Sequence, residues 1–177
     1  MFKRFSTRDL IVISTLAAIG IAIKPLVGPL FKMISTPLAI PGGSLAGGFY
    51  MLWLSLAVFM VGKTGTGTLF GVVQALIVMV AGLQGNQGAL SLISYPLPGI
   101  VADLLYLLFK DGDKIISHVL ICAVANLAGA LLVAVLLFHH PLALVFTIGG
   151  LALLSGAVGG LVSKGLYAQL KKYGMIT

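Results

Sequence analysis

The chain has 177 residues, 59% of them hydrophobic and only 8% charged, with a formal net charge of +7 and a mean hydropathy of +1.15. A soluble domain needs about a quarter charged residues to cover its surface, so this composition excludes an ordinary soluble enzyme or binding module. The positive balance would suggest nucleic acid in a soluble chain; in a membrane protein its placement decides its meaning.

Six apolar runs, about 9–31, 45–62, 67–83, 92–109, 115–138 and 142–163, are long enough to be expected as membrane helices. Roughly 20 apolar residues cross the hydrocarbon core as a helix, and these runs alternate too little for barrel strands. The expected fold is an all-α integral membrane protein, a compact bundle of six transmembrane helices in a single domain over residues 1–177. The basic lead-in "MFKRFSTRD" has no small-residue cleavage site after the first apolar run, so that run reads as a retained helix.

Span one carries a stripe of small residues, Ser14, Ala18 and Ala22, before Lys24, Pro25 and Pro29 interrupt it. Small residues four apart let membrane helices approach closely. Residues 24–44 hold four prolines and read as a partly buried extended loop. Ser44 in "GGSLAG" is expected as the N-cap of span two rather than a nucleophile, because Ala46 stands where a nucleophile elbow needs glycine. Span two then offers Tyr50 and Trp53 about one turn apart, either an aromatic belt or a stacking platform for a flat solute. The turn "AVFMVGKTG" approaches a phosphate-binding loop, but Ala57 replaces its first glycine and a membrane helix precedes it. Gly62 and Lys63 therefore read as a helix stop and an anchor, and any ATP-driven work belongs to another chain.

Span three contains Gln74, followed by the glycine-rich "GLQGNQG" with Gln84, Asn86 and Gln87. Span four contains Tyr95, Pro96, Pro98 and Asp103, and span five contains Asn126. Polar side chains at membrane depth usually face a cavity or a partner. Gln74 and Asn126 are weighed equally as interhelical glue and as solute contacts, whereas Asp103 leans towards solute binding. "DGD" at Asp111–Asp113 lacks the further ligands of a calcium loop. His139 and His140 are adjacent and suit a helix end better than a shared metal. Cys122 is the lone cysteine, which excludes an internal disulfide.

Six spans place both termini on one side, together with Lys3, Arg4, Arg8, Lys63, Lys110, Lys114, Lys164, Lys171 and Lys172. Only Lys24 and Lys32 fall on the other side, so both termini are expected in the cytoplasm of a cell-membrane protein.

In this order of features the chain resembles the substrate-binding S components of energy-coupling factor (ECF) transporters, most closely their YkoE-like group, associated with thiamine or its hydroxymethylpyrimidine precursor. The likeness rests on Ala18 and Ala22 as A-x-x-x-A in span one, Y-x-x-W at Tyr50 and Trp53, the Lys63–Gly65 turn, the polar glycine-rich outer loop, Asp103, and "LLSGAVGGLVSKGL" in span six. It implies six helices, an outer vitamin pocket, docking of a transmembrane coupling (T) subunit on Ala18 and Ala22, and two ATPase subunits. It implies no catalysis, cofactor, resident metal or nucleic acid. Gln74 departs from the group's pattern, which has an acidic residue in span three, and this shifts the expected solute from cationic thiamine towards a neutral precursor or another small heterocycle. The rival expectation is an autonomous secondary permease or channel for a small polar solute.

Overall fold

The structure, a computed structural model, describes residues 5–38, 42–82 and 90–176. Its described residues form eight α-helices: α1 Thr7–Ala22, α2 Lys24–Ser35, α3 Gly42–Val61, α4 Thr66–Val80, α5 Ser91–Ser94, α6 Pro96–Leu108, α7 Ile115–Leu132 and α8 Leu142–Lys172. A π-turn, Val133–Leu137, continues α7, and a 3₁₀ turn, Thr36–Leu38, follows α2.

α1 starts on a capping box. The Ser6 hydroxyl accepts from the Asp9 N–H at 3.3 Å, and the Asp9 carboxylate accepts from the Ser6 N–H at 2.7 Å. Ile13, Leu16, Ala17, Gly20 and Ile21 line its buried face, the three- and four-residue spacing that one helix stripe requires. Ser14, Ala18 and Ala22 lie on the opposite, exposed face. Pro25 then opens a new helix, and α2 leaves α1 at an angle of 43°. Proline accounts for the kink because its ring and missing N–H cannot continue the preceding turn.

Four helical segments are long and apolar enough to span a membrane: Gly42–Val61, Ser91–Leu108, Ile115–Leu136 and Leu142–Lys172. The bent pair Thr7–Ala22 and Lys24–Ser35 makes a fifth if counted as one span. The expected third span, about 67–83, holds the 15-residue α4. At 1.5 Å per residue that helix is about 22 Å long, short of the roughly 30 Å hydrocarbon core. Among the described residues, length and apolarity thus support an all-helical membrane bundle with four or five candidate spans, with α4 a shorter apolar helix beside them. α8 also runs past its expected end at 163, because it continues through Gly165 and no proline follows before Gly174, whose φ of 71° closes the helix. Ser44 is not an N-cap: α3 begins at Gly42 and takes Ser44 into its first turn.

α3 is the central helix, touching α1, α2, α4, α6, α7 and α8. Its crossing with α8 is glycine on glycine: a Cβ added at Gly48 or at Gly159 would fall within 3.0 Å of the other helix's backbone. Such proximity lets dispersion act between backbones where no hydrophobic effect drives association.

The ion pairs gather at one end of the bundle. Lys63 pairs with Asp9, Lys164 lies 3.7 Å from Asp113, and Lys171 also reaches Asp113. The Lys171 ammonium holds the exposed Asp113 carboxyl below the usual carboxylate range. Arg8 donates to the Met175 carbonyl at 2.8 Å, which ties the two ends of the chain together. Just inside this end His118 is fully buried. Its Nε2 lies 3.1 Å from the Gly112 carbonyl oxygen, so that nitrogen must carry the proton. Nδ1 is then left to accept from Ser163 at 2.9 Å and Ser55 at 3.2 Å. The imidazole joins α3, α7 and α8 with both ring nitrogens hydrogen-bonded.

Candidate functional site

Towards the opposite end, the first halves of α3, α6 and α8 and the second halves of α4 and α7 enclose a cavity of about 220 Å³. Drug-sized ligands usually occupy about 300–1,000 Å³, so the cargo that fits is small. Four of the expected solute-contacting residues, Tyr50, Gln74, Tyr95 and Asn126, line this one space.

Gln74 and Asn126 are both glue and lining. Gln74 Nε2 donates to the Ala17 carbonyl at 3.3 Å, fastening α4 to α1. Asn126 Nδ2 donates to the Ala152 carbonyl at 2.8 Å and to the Ser44 carbonyl at 3.4 Å, fastening α7 to α8 and α3. With both amide hydrogens of Asn126 so used, its Oδ1 acceptor is what it has left for a solute. Gly47 makes room for this side chain: a Cβ there would fall within 3.0 Å of Asn126 Oδ1.

Trp53 does not line the cavity. It stands beside Gly20 of α1, and its buried indole N–H has no hydrogen-bond partner among the described residues. The expected aromatic platform on α3 therefore reduces to Tyr50. Its companion is Tyr95, at the break between α5 and α6.

Asp103 is also outside the cavity lining. Its carboxylate accepts from the Gly67 N–H at 2.9 Å, the Thr68 N–H at 2.8 Å and the Thr68 hydroxyl at 2.7 Å. It thus caps the first turn of α4 from the neighbouring helix α6. The N-terminus of a helix presents unpaired N–H groups and a partial positive charge, which explains how a carboxylate without a basic neighbour in its own helix is stabilised. The same contact settles the near-miss phosphate loop: the backbone donors after "GKTG" are already taken by a resident anion. Asp103→Ala should leave two buried N–H groups unpaired, at about 1–3 kcal/mol each. The expected result is a markedly lower thermal midpoint in detergent with unchanged solute affinity; a selective loss of affinity would return Asp103 to the site.

Lys24 is the cavity residue that sequence reasoning placed only as an outer-side charge. As the first residue of α2 it sits directly after the bend, and its ammonium lies over two rings, 4.2 Å from the Tyr95 centroid and 5.0 Å from the Tyr50 centroid. Each such contact contributes about 0.5–2 kcal/mol, depending on solvation. Only a bend at Pro25 turns this side chain inward, and hydropathy periodicity does not report a bend.

At the rim, the π-turn Val133–Leu137 widens the end of α7, and Val133, Ala134 and Phe138 border the cavity. His140 stacks on Phe138 at 5.5 Å between ring centroids, and His139 occupies the left-handed region with φ of 48°. Among the described residues no group of three His, Cys, Asp or Glu is placed to hold a metal ion. Gln84, Asn86 and Gln87 lie outside the described residues. Ala18 and Ala22, expected to dock a partner, are exposed on α1 and outside the cavity lining.

Residues 8–128 match the family model described as ABC-type cobalt transport system, permease component. No curated protein and no solved structure matches the chain.

Proposed function

The chain belongs to the family of permease components of ABC-type cobalt transport systems, and on that premise we propose that it is the substrate-capture subunit of an ECF-type importer. Family membership supports a membrane-embedded transport component that works with ATPase and other subunits. The capture role is carried by one observation: a single small cavity gathers Tyr50, Gln74, Tyr95 and Asn126 from four different parts of the chain.

The solute enters from outside between α2 and the rim of α7 and contacts the two tyrosine rings and the Asn126 amide oxygen. Gln84, Asn86 and Gln87, which follow α4 in the sequence, are proposed as further solute contacts. Both termini and the ion-paired end face the cytoplasm. The coupling subunit docks on the exposed Ser14, Ala18 and Ala22 face, and its ATPases power reorientation of the bundle.

Cobalt in the family description does not translate into a bare metal cargo for this cavity. Its described lining has amides, hydroxyls and an ammonium but no carboxylate, imidazole or thiol, the groups that hold divalent transition metals. A small planar heterocycle fits the two rings and the amide oxygen better. Of the thiamine-related solutes, the pyrimidine precursors, free or phosphorylated, suit so small a cavity, whereas cationic thiamine meets the like charge of Lys24.

The purified chain should bind such a solute alone but move it across a vesicle wall only when joined by coupling and ATPase subunits and supplied with ATP. Asn126→Ala should weaken binding about tenfold, as expected for a lost buried polar contact, with titration calorimetry as the measurement. Steady gradient-driven transport by the lone chain would overturn the capture role in favour of an autonomous permease.

A further inference from the structure

The chain has only four acidic side chains, Asp9, Asp103, Asp111 and Asp113. Asp9 pairs with Lys63, Asp111 with Lys114, and Asp113 with Lys164 and Lys171, while Asp103 caps α4. Every side-chain carboxylate is thus committed elsewhere, and none of them lines the cavity that holds Lys24. A cation at membrane depth without a counter-charge is costly, and the faces of Tyr50 and Tyr95 offset that cost only in part. A lysine that merely snorkelled would carry its ammonium to the aqueous interface, yet this one is directed over two rings bordering the cavity.

We infer that the transported solute carries an oxyanion, a carboxylate or a phosphate ester, and that Lys24 is the specificity-determining residue that pairs with it between Tyr50 and Tyr95. This rests on the capture reading of the same cavity and adds the charge class of the cargo. The rest of the solute is planar, since the tyrosine rings flank it, and it offers a hydrogen-bond donor to Asn126 Oδ1. Lys24 also stands at the joint between α2 and α1, whose outer face carries Ala18 and Ala22. Solute held by Lys24 therefore loads the one bend that connects the cavity to the proposed docking face.

The test uses the purified full chain in nanodiscs and two matched ligand pairs: nicotinate against nicotinamide, and hydroxymethylpyrimidine phosphate against hydroxymethylpyrimidine, with thiamine as the cationic comparator. Emission of Trp53, the one tryptophan of the chain, and calorimetry report binding. At least one anionic member should bind about tenfold or more tightly than its neutral partner, as a desolvated charge pair warrants. Which pair responds separates carboxylate from phosphate. Lys24→Met should collapse that ratio to near unity and Lys24→Arg should restore most of it, with melting curves showing that both variants fold. Equal or tighter binding of the neutral or cationic members, or a ratio that survives Lys24→Met, would overturn the inference. Should no member of either pair bind, the solute extracted from the chain purified from its own cells decides. An acid supports the assignment; a neutral or cationic solute, or none, rejects it. ATP-dependent uptake of a neutral solute would sink this inference and leave the capture role intact. Gradient-driven passage of an anion through the lone chain would do the reverse.

Discussion

Gly159→Leu is expected to yield no folded chain, whereas Gly150→Leu on the same helix should be tolerated. The difference lies in what the first added carbon meets. At Gly159 a Cβ falls within 3.0 Å of the Gly48 backbone on α3, and the neighbouring Gly156 and Gly160 hold α8 equally close to the backbone of α7. A flexible side chain could move aside, but two helix backbones crossing a third cannot do so without parting the bundle. At Gly150 no atom lies within 4 Å of the added carbon. Separating α8 from α3 would also remove the Ser155 hydroxyl from the Gly48 N–H, 3.1 Å away, and from the Leu45 carbonyl to which it donates. The combined penalty should exceed about 4 kcal/mol, the exceptional range for a single substitution. Size-exclusion profiles of detergent extracts and Trp53 emission measure it. A monodisperse Gly159→Leu protein with an unchanged midpoint would show that the α3–α8 crossing is looser than described.

How much of this architecture can be read from the residues depends on whether the signal is local. Apolar runs and prolines announced a helical membrane bundle and a broken first span, because hydropathy and the missing proline N–H act within a few positions. The inward side chains Tyr50, Gln74, Tyr95 and Asn126 were also legible, since a polar or amphipathic group in an apolar run has few places to go. The capping contact of Asp103 is illegible for a reason of distance: its partners are N–H groups 35 and 36 residues away, and backbone donors are invisible in a side-chain reading. Trp53 faced the same difficulty, as helical spacing placed it beside Tyr50 but could not show that Gly20 of α1 draws it to another neighbour. Charge counting places Lys24 only on the outer side, and its direction follows only from the bend that opens α2. The length of α4 and the overrun of α8 depend on where turns close, which is the weakest signal in any apolar sequence.

Ala22→Leu, and Ala18→Leu one turn earlier, are expected to abolish uptake by the assembled importer while leaving solute affinity unchanged. Both residues are exposed on α1, opposite the buried Ile13, Leu16, Ala17, Gly20 and Ile21, so neither substitution disturbs the interior of this chain. Exposure alone would be unremarkable in a membrane protein, where lipid covers apolar surface. What distinguishes this face is the smallness of its residues beside flanking exposed side chains as large as Leu10, Ile11 and Leu26. Lipid contact has no need of small side chains, whereas a partner helix needs them to approach closely enough for backbone dispersion contacts. A leucine at Ala22 would hold that helix away by the width of an isobutyl group, and uptake should fall more than about tenfold if the docking contact is worth the 1.4 kcal/mol or more that such a factor requires. Ala143→Leu, exposed near the start of α8, is the control for added bulk in lipid. Parallel loss of uptake and binding would point to misfolding. Full uptake by both variants would mean that the coupling subunit docks elsewhere and that this flank faces lipid alone.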